Sequence, residues 1–191
     1  MKPGLRIFLG LVGLIAILFG VRQMMTRGGG LSAKAPVDQV QKVGEIFTAT
    51  DGAWSYRIPQ GWENKPGQQP GFTMFVAPKE SGYVANMVTA VESFDGALRA
   101  YADANIKAVQ AAFPDSKVLS DAEFSTDAKA VSYKLKFQNK VKDSELMQTM
   151  YFFEGQPGRK IAVTCTAPLK QGPELDPLFD ECMKSFVAPQ K

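Results

Sequence analysis

The first pattern along the chain is an uninterrupted run of apolar residues. Residues 7–21 contain no polar side chain. If Leu5 and Met24–Met25 are counted across the flanking arginines, which can extend toward water, the segment approaches the ~20 residues that cross a bilayer. The pattern predicts one N-terminal transmembrane helix, and we assign residues 1–26 as a membrane anchor.

The residues after this run bear on whether it is a cleaved signal peptide. Cleavage should occur close behind the apolar core, but Arg22–Met25 follows, and the only A-x-A match, Ala33–Ala35, lies far downstream. No cysteine lies near the run, so a lipid-anchored mature terminus is excluded. We expect an uncleaved anchor. A cleaved signal stays open. A cytoplasm-facing domain stays open too, because two basic residues lie on each side of the run and the charges therefore do not set its orientation.

A short polar segment separates the apolar run from the rest of the chain. Glycine, alanine, serine and one proline dominate residues 28–36, and such a composition cannot bury enough surface to become ordered. We therefore predict a flexible tether over residues 27–42 and one globular domain over residues 43–191. The whole-chain content of 45% hydrophobic and 21% charged residues is typical of a globular protein.

Beyond the tether, apolar and polar positions alternate in short segments separated by turn residues, which predicts β-strands. Asp51-Gly52 between two of these segments is the signal of a tight hairpin. Residues 145–154 are apolar on both faces, as in a central strand that is covered on each side. We predict strands at 47–50, 54–58, 72–77, 85–91, 117–124, 130–139, 145–154 and 160–167, with a polar loop at 63–71.

Two segments show the spacing of amphipathic helices. The first is predicted from Ser93 or Asp95 as the N-cap to about Phe113, where Pro114 ends it. The second is predicted to begin at Asp176-Pro177. Its inner stripe consists of Leu175, Leu178, Phe179, Cys182 and Phe186. The predicted fold class is α+β, a central antiparallel sheet flanked by two main helices.

The only two cysteines fall in the last predicted strand and the last predicted helix. Cys165 and Cys182 lie on the inward faces of elements joined by a short loop, so we predict a disulfide between them. Such a bridge would contribute roughly 3 kcal/mol by restricting the unfolded chain. Two buried thiols and a redox pair remain alternatives, although no C-x-x-C motif is present.

Histidine is absent from the sequence. This excludes Ser-His-Asp and Cys-His catalysis, the common zinc sites and any histidine-based pH switch. No Walker, Rossmann or G-x-S-x-G motif is present either. We therefore expect no catalytic residue, no metal site and no cofactor.

The net charge of +3 comes from the leader. Residues 1–30 contain four basic residues and no acid, whereas the rest carries 18 basic and 19 acidic side chains, so we expect no nucleic-acid binding. A basic series with a period of two lies at Lys134, Lys136, Lys140 and Lys142. We interpret it as the solvated face of a strand whose lysines oppose edge pairing, with a phosphate-binding stripe as the alternative. Neighbouring acids such as Asp180-Glu181 are interpreted as capping and solubilising residues.

Trp62 follows the Pro59–Gly61 turn and is a candidate contact residue. A tryptophan in this position either covers the core from the side or serves as an exposed aromatic anchor for a partner. Together with Phe72, it could also line a pocket between sheet and helix that takes a small ligand. We keep Trp62 and Phe72 as candidate partner or ligand contacts.

Several of these segments together resemble the PsbP/DcrB-type superfamily. The resemblance rests on the opening W-x-Y-x-I-P-Q-G-W at Trp54–Trp62, on "FTMFVAP" at residues 72–78, on Ala85-Asn86, on Leu98–Tyr101, and on Phe124 onward with the terminal strand and helix. The superfamily includes extrinsic photosystem II subunits, exported or lipid-anchored bacterial proteins and a Ran-binding import factor of the Mog type. The resemblance implies an α/β/α sandwich that is exported and non-enzymatic and that binds larger assemblies. This chain departs from DcrB-like proteins because it has no lipobox cysteine, and it has no chloroplast-type leader.

The sequence thus leads to one main functional expectation and two others. We expect a non-catalytic domain, anchored in the bacterial inner membrane and facing the periplasm, that binds or stabilises a protein partner of the envelope. A small-ligand-binding module is the alternative, and an enzyme comes third.

Overall fold

The computed structural model describes residues 42–66, 72–78 and 84–189. The predicted anchor and nearly all of the predicted tether lie outside the described residues. No helix in the described part is long and apolar enough to cross a membrane.

The described residues form nine strands and two helices, in an order close to the predicted one. The strands are β1 Val43–Thr48, β2 Ser55–Pro59, β3 Glu63–Pro66, β4 Phe72–Val76, β5 Asn86–Ser93, β6 Lys117–Ser125, β7 Val131–Val141, β8 Ser144–Glu154 and β9 Arg159–Pro168. The helices are α1 Leu98–Ala112, between β5 and β6, and α2 Gly172–Lys184, after β9.

Seven strands form one antiparallel sheet in the order β3-β4-β5-β9-β8-β7-β6, and β1 and β2 form a separate hairpin. Strands β6 to β9 follow one another as a meander, whereas β5 pairs with β9 across an insertion that contains α1 and three strands. Residues 144–154 lie inside the sheet with both faces buried, as their two-sided apolar pattern predicts.

The two helices cover opposite faces of this sheet. Successive residues of a strand point to opposite faces, and in β8 Phe152 belongs to the apolar cluster of α1 while Tyr151 and Phe153 belong to that of α2. The antiparallel sheet with two helices agrees with the predicted α+β class.

The β1–β2 hairpin packs on the α2 side of the sheet. Phe47 meets Phe75 of β4 with ring centroids 4.9 Å apart, and Tyr56 stacks near Phe186 at 6.3 Å. Gly44 allows β1 to approach β2 at a bulge, since a Cβ there would lie 3.0 Å from the Ile58 carbonyl oxygen. The hairpin is therefore part of the same hydrophobic core as α2.

Four sequence predictions about element positions were wrong. Strand β1 spans Val43–Thr48 and not residues 47–50. Residues 63–66 form β3 rather than a loop, because they pair with Thr73–Val76. Helix α1 begins at Leu98, since Ser93 still belongs to β5. Helix α2 begins at Gly172, with a proline in its first turn, and Pro177 lies inside it.

Candidate interaction surface

Trp62 lies in the core between the sheet and α2. Its side chain is 5% exposed, and its ring meets Phe179 edge-on at 6.1 Å. Phe72 is half-buried in β4, where it pairs with Ala90. Trp62 therefore covers the core, which was the other interpretation of this residue, whereas Phe72 stays a candidate contact on a half-buried strand.

The predicted disulfide is not present. Cys165 and Cys182 are both free thiols, and both are fully buried in the apolar cluster on the α2 side of the sheet. This arrangement matches the alternative interpretation of two buried thiols. Burial raises the pKa of Cys182 to about 12 and raises that of Cys165 well above its usual value. A thiol that stays protonated and enclosed acts as a small hydrophobic group.

A network of charged side chains joins β7 to α2. Lys134 lies 2.6 Å from Asp180 and 3.5 Å from Asp176, and Lys136 also pairs with Asp176. The Tyr151 hydroxyl donates to Asp180 Oδ1 at 2.6 Å. Burial raises the pKa of Tyr151, and the nearby charges and this hydrogen bond raise it further. These residues hold a helix on a sheet.

This network corrects two interpretations of the sequence. Strand β7 is not an edge strand, and Lys134 and Lys136 are half-buried and ion-paired rather than solvated. Asp180 serves this pairing instead of only solubilising the helix. Acids spaced i, i+4 beside the apolar stripe of α2, together with the period-two lysines, were the signal in the sequence that pointed to it.

A second group of titratable residues lies where β5 ends. The Tyr101 hydroxyl donates to Glu92 Oε2 at 2.7 Å. Burial raises the pKa of Glu92, and this hydrogen bond opposes the shift. Lys160 is 5% exposed and lies 2.8 Å from Glu154. A buried carboxyl of raised pKa resembles a general acid, but its proton partner is a tyrosine inside the core, not a group in a described cleft.

A row of buried amides and hydroxyls crosses the α1 side of the sheet. Asn139 Nδ2 donates to Gln148 Oε1 at 2.9 Å, and Gln148 Nε2 donates to Thr166 Oγ1 at 3.0 Å. All three residues are less than 5% exposed. Internal hydrogen bonds of this kind fix strand register. Among the described residues, no group of three or more metal-ligating side chains is arranged for a metal ion.

Strand β6 forms one edge of the sheet and is exposed along nearly its whole length. Eight of its nine residues are exposed, including Val118 at 37% and Leu119 at 43%. Among the described residues, no strand pairs with its outer side. The register shifts between Val118 and Ser120, so Leu119 is the extra residue of a β-bulge. We call Lys117–Ser125 the β6 edge.

An arginine from α1 holds the β6 edge in place. Arg99 donates to both carboxylate oxygens of Asp121, at 3.0 and 2.6 Å, and lies 2.7 Å from Asp103. Its guanidinium also lies 5.2 Å from the centre of the Tyr133 ring. This bidentate contact links Asp121 of β6 to α1, in addition to the pairing of β6 with β7.

A second exposed surface lies on the outer side of the β1–β2 hairpin. It contains Ile46, Thr48, Ser55, Arg57 and Val187, and we call it the hairpin face. Ile46 is 61% exposed and Val187 is 47% exposed.

Comparison with solved structures shows the fold. No protein-family model and no curated protein matches the chain. Cyanobacterial PsbP (CyanoP) from Synechocystis sp. PCC 6803 matches 84% of this chain and 100% of its own at 17% identity, with a TM-score of 0.55. PA94, of unknown function, from Pseudomonas aeruginosa matches 77% of this chain and 97% of its own at 15% identity, also with a TM-score of 0.55.

A third structure, from Bacteroides thetaiotaomicron, is 12% identical with a TM-score of 0.53, and the match covers 78% of this chain and half of its own. The chain therefore has a PsbP-like fold, which confirms the fold that the opening motif and strand pattern suggested. At these identities, the likeness establishes the fold alone.

Proposed function

We propose that this chain is a non-catalytic domain, anchored in the inner membrane, that binds a protein partner on the periplasmic side through the β6 edge. The observation that carries the proposal is the exposed edge strand, with its two apolar side chains and no neighbour on its outer side among the described residues. Such a strand offers a row of backbone donors and acceptors that another strand can complete.

The β6 edge is suited to a partner strand because its shape is already fixed. The bidentate contact from Arg99 orders Asp121 before any partner arrives, so association costs less conformational entropy. The side chains of the β6 edge indicate which residues a partner strand should carry. Val118 and Leu119 favour apolar side chains opposite them, and exposed Glu123 favours a cation.

The carboxylates of the β6 edge oppose pairing between two copies of this strand. An antiparallel pair centred on Asp121 would place two like charges opposite each other. We therefore propose a different protein as the occupant.

Support for anchoring comes from the sequence. The apolar run at residues 7–21, extended across the flanking arginines to Leu5 and Met25, is close to the length of a membrane span, and the resemblance to exported proteins favours the periplasmic side. Support for a non-catalytic role comes from the missing histidine and from the use of Asp176, Asp180 and Glu92 in internal contacts. The small-ligand alternative loses support because Trp62 and Phe179 fill the interface between sheet and helix.

A photo-crosslinker at the β6 edge tests the proposal. The full chain, in its own membranes, carries p-benzoylphenylalanine in place of Leu119 or, as a control, in place of Ala111 on the exposed side of α1. We expect one discrete protein adduct from position 119 and none from position 111.

Matched surface variants then locate the contact. Val118→Lys should remove the adduct, because a charge beside the bulge opposes strand pairing, whereas Ile46→Lys on the hairpin face should leave it unchanged. No adduct from position 119, or equal adducts from positions 119 and 111, would rule out the β6 edge as the partner site.

A further inference from the structure

The two faces of the β6 edge differ in chemistry. Paired residues of neighbouring strands lie on the same face of a sheet. Glu123 pairs with Tyr133, which packs against the apolar cluster of α1, so Glu123 lies on the α1 side. Ala122 pairs with Lys134, which contacts α2 through Asp180, so Ala122 lies on the α2 side. A strand added to this edge would therefore bring successive side chains into two different environments.

On the α1 side, the charges around Glu123 are mostly negative. The Arg99 guanidinium lies 2.7 Å from Asp103 and 2.6 Å from Asp121, so this group of three side chains keeps a negative charge in excess. Glu123 is exposed, and no hydrogen bond or ion pair with another described residue engages its carboxylate. Glu123 is therefore available to a cation of a partner.

The remaining charges near this side leave the excess in place. They lie on α1 two turns after Arg99, in the residues that lead into β6 and begin it, and in the turn that follows it. These exposed residues are Lys107, Asp115, Lys117, Asp127 and Lys129. Their three cations and two acids add one positive charge to the two negative charges of the group around Glu123, which leaves one negative charge in excess. The acidic part of the edge is therefore the stretch from Asp121 to Glu123.

The α2 side of the edge offers an apolar contact instead. Ala122 is exposed and small, and Phe124, two residues further on the same side, is half-buried with its ring 5.1 Å from that of Tyr151. Lys134, opposite Ala122, has its ammonium held by Asp180 at 2.6 Å. A bulky apolar side chain above Ala122 would lie against the Phe124 ring and the apolar stem of the lysine, whereas a cation there would face the ammonium group.

We propose that the strand which completes the β6 edge carries a basic side chain opposite Glu123 and, next to it, a bulky apolar side chain opposite Ala122. This inference deepens the proposed function and rests on it. Adjacent residues of a strand point to opposite faces, so the cation reaches the α1 side while the apolar group reaches the α2 side. The partner is thus a protein with an exposed strand or extended segment in which basic and apolar residues alternate.

Competition between two synthetic peptides tests the inference. The full chain with p-benzoylphenylalanine in place of Leu119 is irradiated in membranes solubilised in a neutral detergent, together with a peptide of Val-Lys repeats or one of Val-Glu repeats. We expect the Val-Lys peptide to suppress the adduct from position 119 and the Val-Glu peptide to leave it. The chain carries a net charge of +3, so general electrostatic attraction favours the Val-Glu peptide and would give the opposite result.

A charge reversal in the edge identifies the carboxylate. In the purified full chain, Glu123→Lys should weaken the binding of a fluorescent Val-Lys peptide about fivefold, and Glu123→Gln should weaken it less. Glu45→Lys, the same substitution at an exposed residue of β1, is the matched control and should leave the binding unchanged. Equal effects of the two reversals would overturn the inference.

The adduct from position 119 separates this inference from the proposed function. If the adduct forms but neither peptide suppresses it, or the Val-Glu peptide suppresses it better, the basic and apolar pattern is overturned and the β6 edge remains the partner site. If no adduct forms, the proposed function fails and the inference fails with it.

Discussion

At the scale of single residues, the described polar groups are mostly engaged with one another. Lys134 illustrates this, because it contacts two aspartates of α2 and lies 5.6 Å from the centre of the Tyr151 ring. Neither the lysine nor its partners can be assigned from local sequence, since the Lys134–Asp180 contact spans 46 positions. The types of residue were visible in the sequence, but the pairing depends on which strand lies beneath the helix.

Removing Asp180 should show how much this network stabilises the fold. Asp180→Ala leaves the Tyr151 hydroxyl without its acceptor and leaves the Lys134 ammonium with only its 3.5 Å contact to Asp176, so we expect a loss of about 1–3 kcal/mol in the free energy of unfolding. Urea denaturation measures it. Lys65→Ala is the matched control, because the Lys65–Glu63 pair is 41% and 67% exposed and its loss should cost about 0–0.5 kcal/mol. Equal effects of the two changes would contradict a structural role for Asp180.

Glu92 should make stability depend on pH in an unusual direction. Burial raises its pKa above the ordinary value of 4.5, so the folded chain binds this proton more tightly than the unfolded chain does. The stabilisation from Glu92 is therefore complete below its unfolded pKa and is lost as pH rises through the raised, folded value. Glu92→Gln keeps an acceptor for Tyr101 and removes the charge.

We expect Glu92→Gln to be more stable than the parent chain at pH 7 and to approach it below pH 4.5. Urea denaturation across this range provides the measurement. A Glu92→Gln variant that is less stable than the parent at pH 7 would contradict the raised pKa.

Tyr101→Phe tests the other side of the same hydrogen bond. It removes the hydroxyl that donates to the Glu92 carboxylate and should lower the free energy of unfolding by about 1–3 kcal/mol at neutral pH.

The two thiols should be reduced and unreactive in the native protein. Cys182 has a pKa of about 12, and both side chains are fully buried, so little thiolate is exposed to react. We expect no alkylation of native protein taken from membranes. After unfolding without a reductant, both cysteines should be alkylated in the peptide map. A linked peptide containing Cys165 and Cys182 would instead restore the disulfide that the sequence suggested.

At the scale of elements, alternation within each segment was enough to place seven of the nine described strands, and it indicated β1 four residues too late. Strand β3 escaped prediction because Glu63–Pro66 is polar and contains a proline, so nothing local distinguishes it from a loop. Its identity as a strand comes from pairing with Thr73–Val76.

The start of α2 was predicted four residues too late for a related reason. Gly172 and Pro173 read as a turn, although proline is well tolerated in the first turn of a helix.

The packing of α2 on the sheet should contribute far more to stability than an exposed aliphatic residue elsewhere in the fold does. Phe179 is 1% exposed and packs against Trp62, so Phe179→Ala should lower the free energy of unfolding by about 3–5 kcal/mol. Val131→Ala, at a residue that is 57% exposed, should change it by less than about 0.5 kcal/mol. Thermal or urea unfolding of the two variants makes the comparison. A mild effect at Phe179 would mean that α2 is loosely docked.

At the scale of the whole molecule, the two apolar clusters among the described residues extend from Val43 to Ala188. We therefore expect a chain that begins at Lys42 to fold cooperatively, with a free energy of unfolding within about 1 kcal/mol of that of the full chain. Circular dichroism with urea denaturation tests this. A fragment without a cooperative transition would show that the first 41 residues contribute to the fold.

The pairing of β5 with β9 has a consequence for how such a chain folds during synthesis. Strand β5 ends at Ser93, and its neighbour β9 does not begin until Arg159. A ribosome delivers the chain from its N-terminus, so β3, β4 and β5 emerge long before the strand that completes their sheet. The N-terminal half therefore cannot reach its final structure while the rest is still being synthesised. Folding of the sheet is complete only once β9 and α2 have emerged.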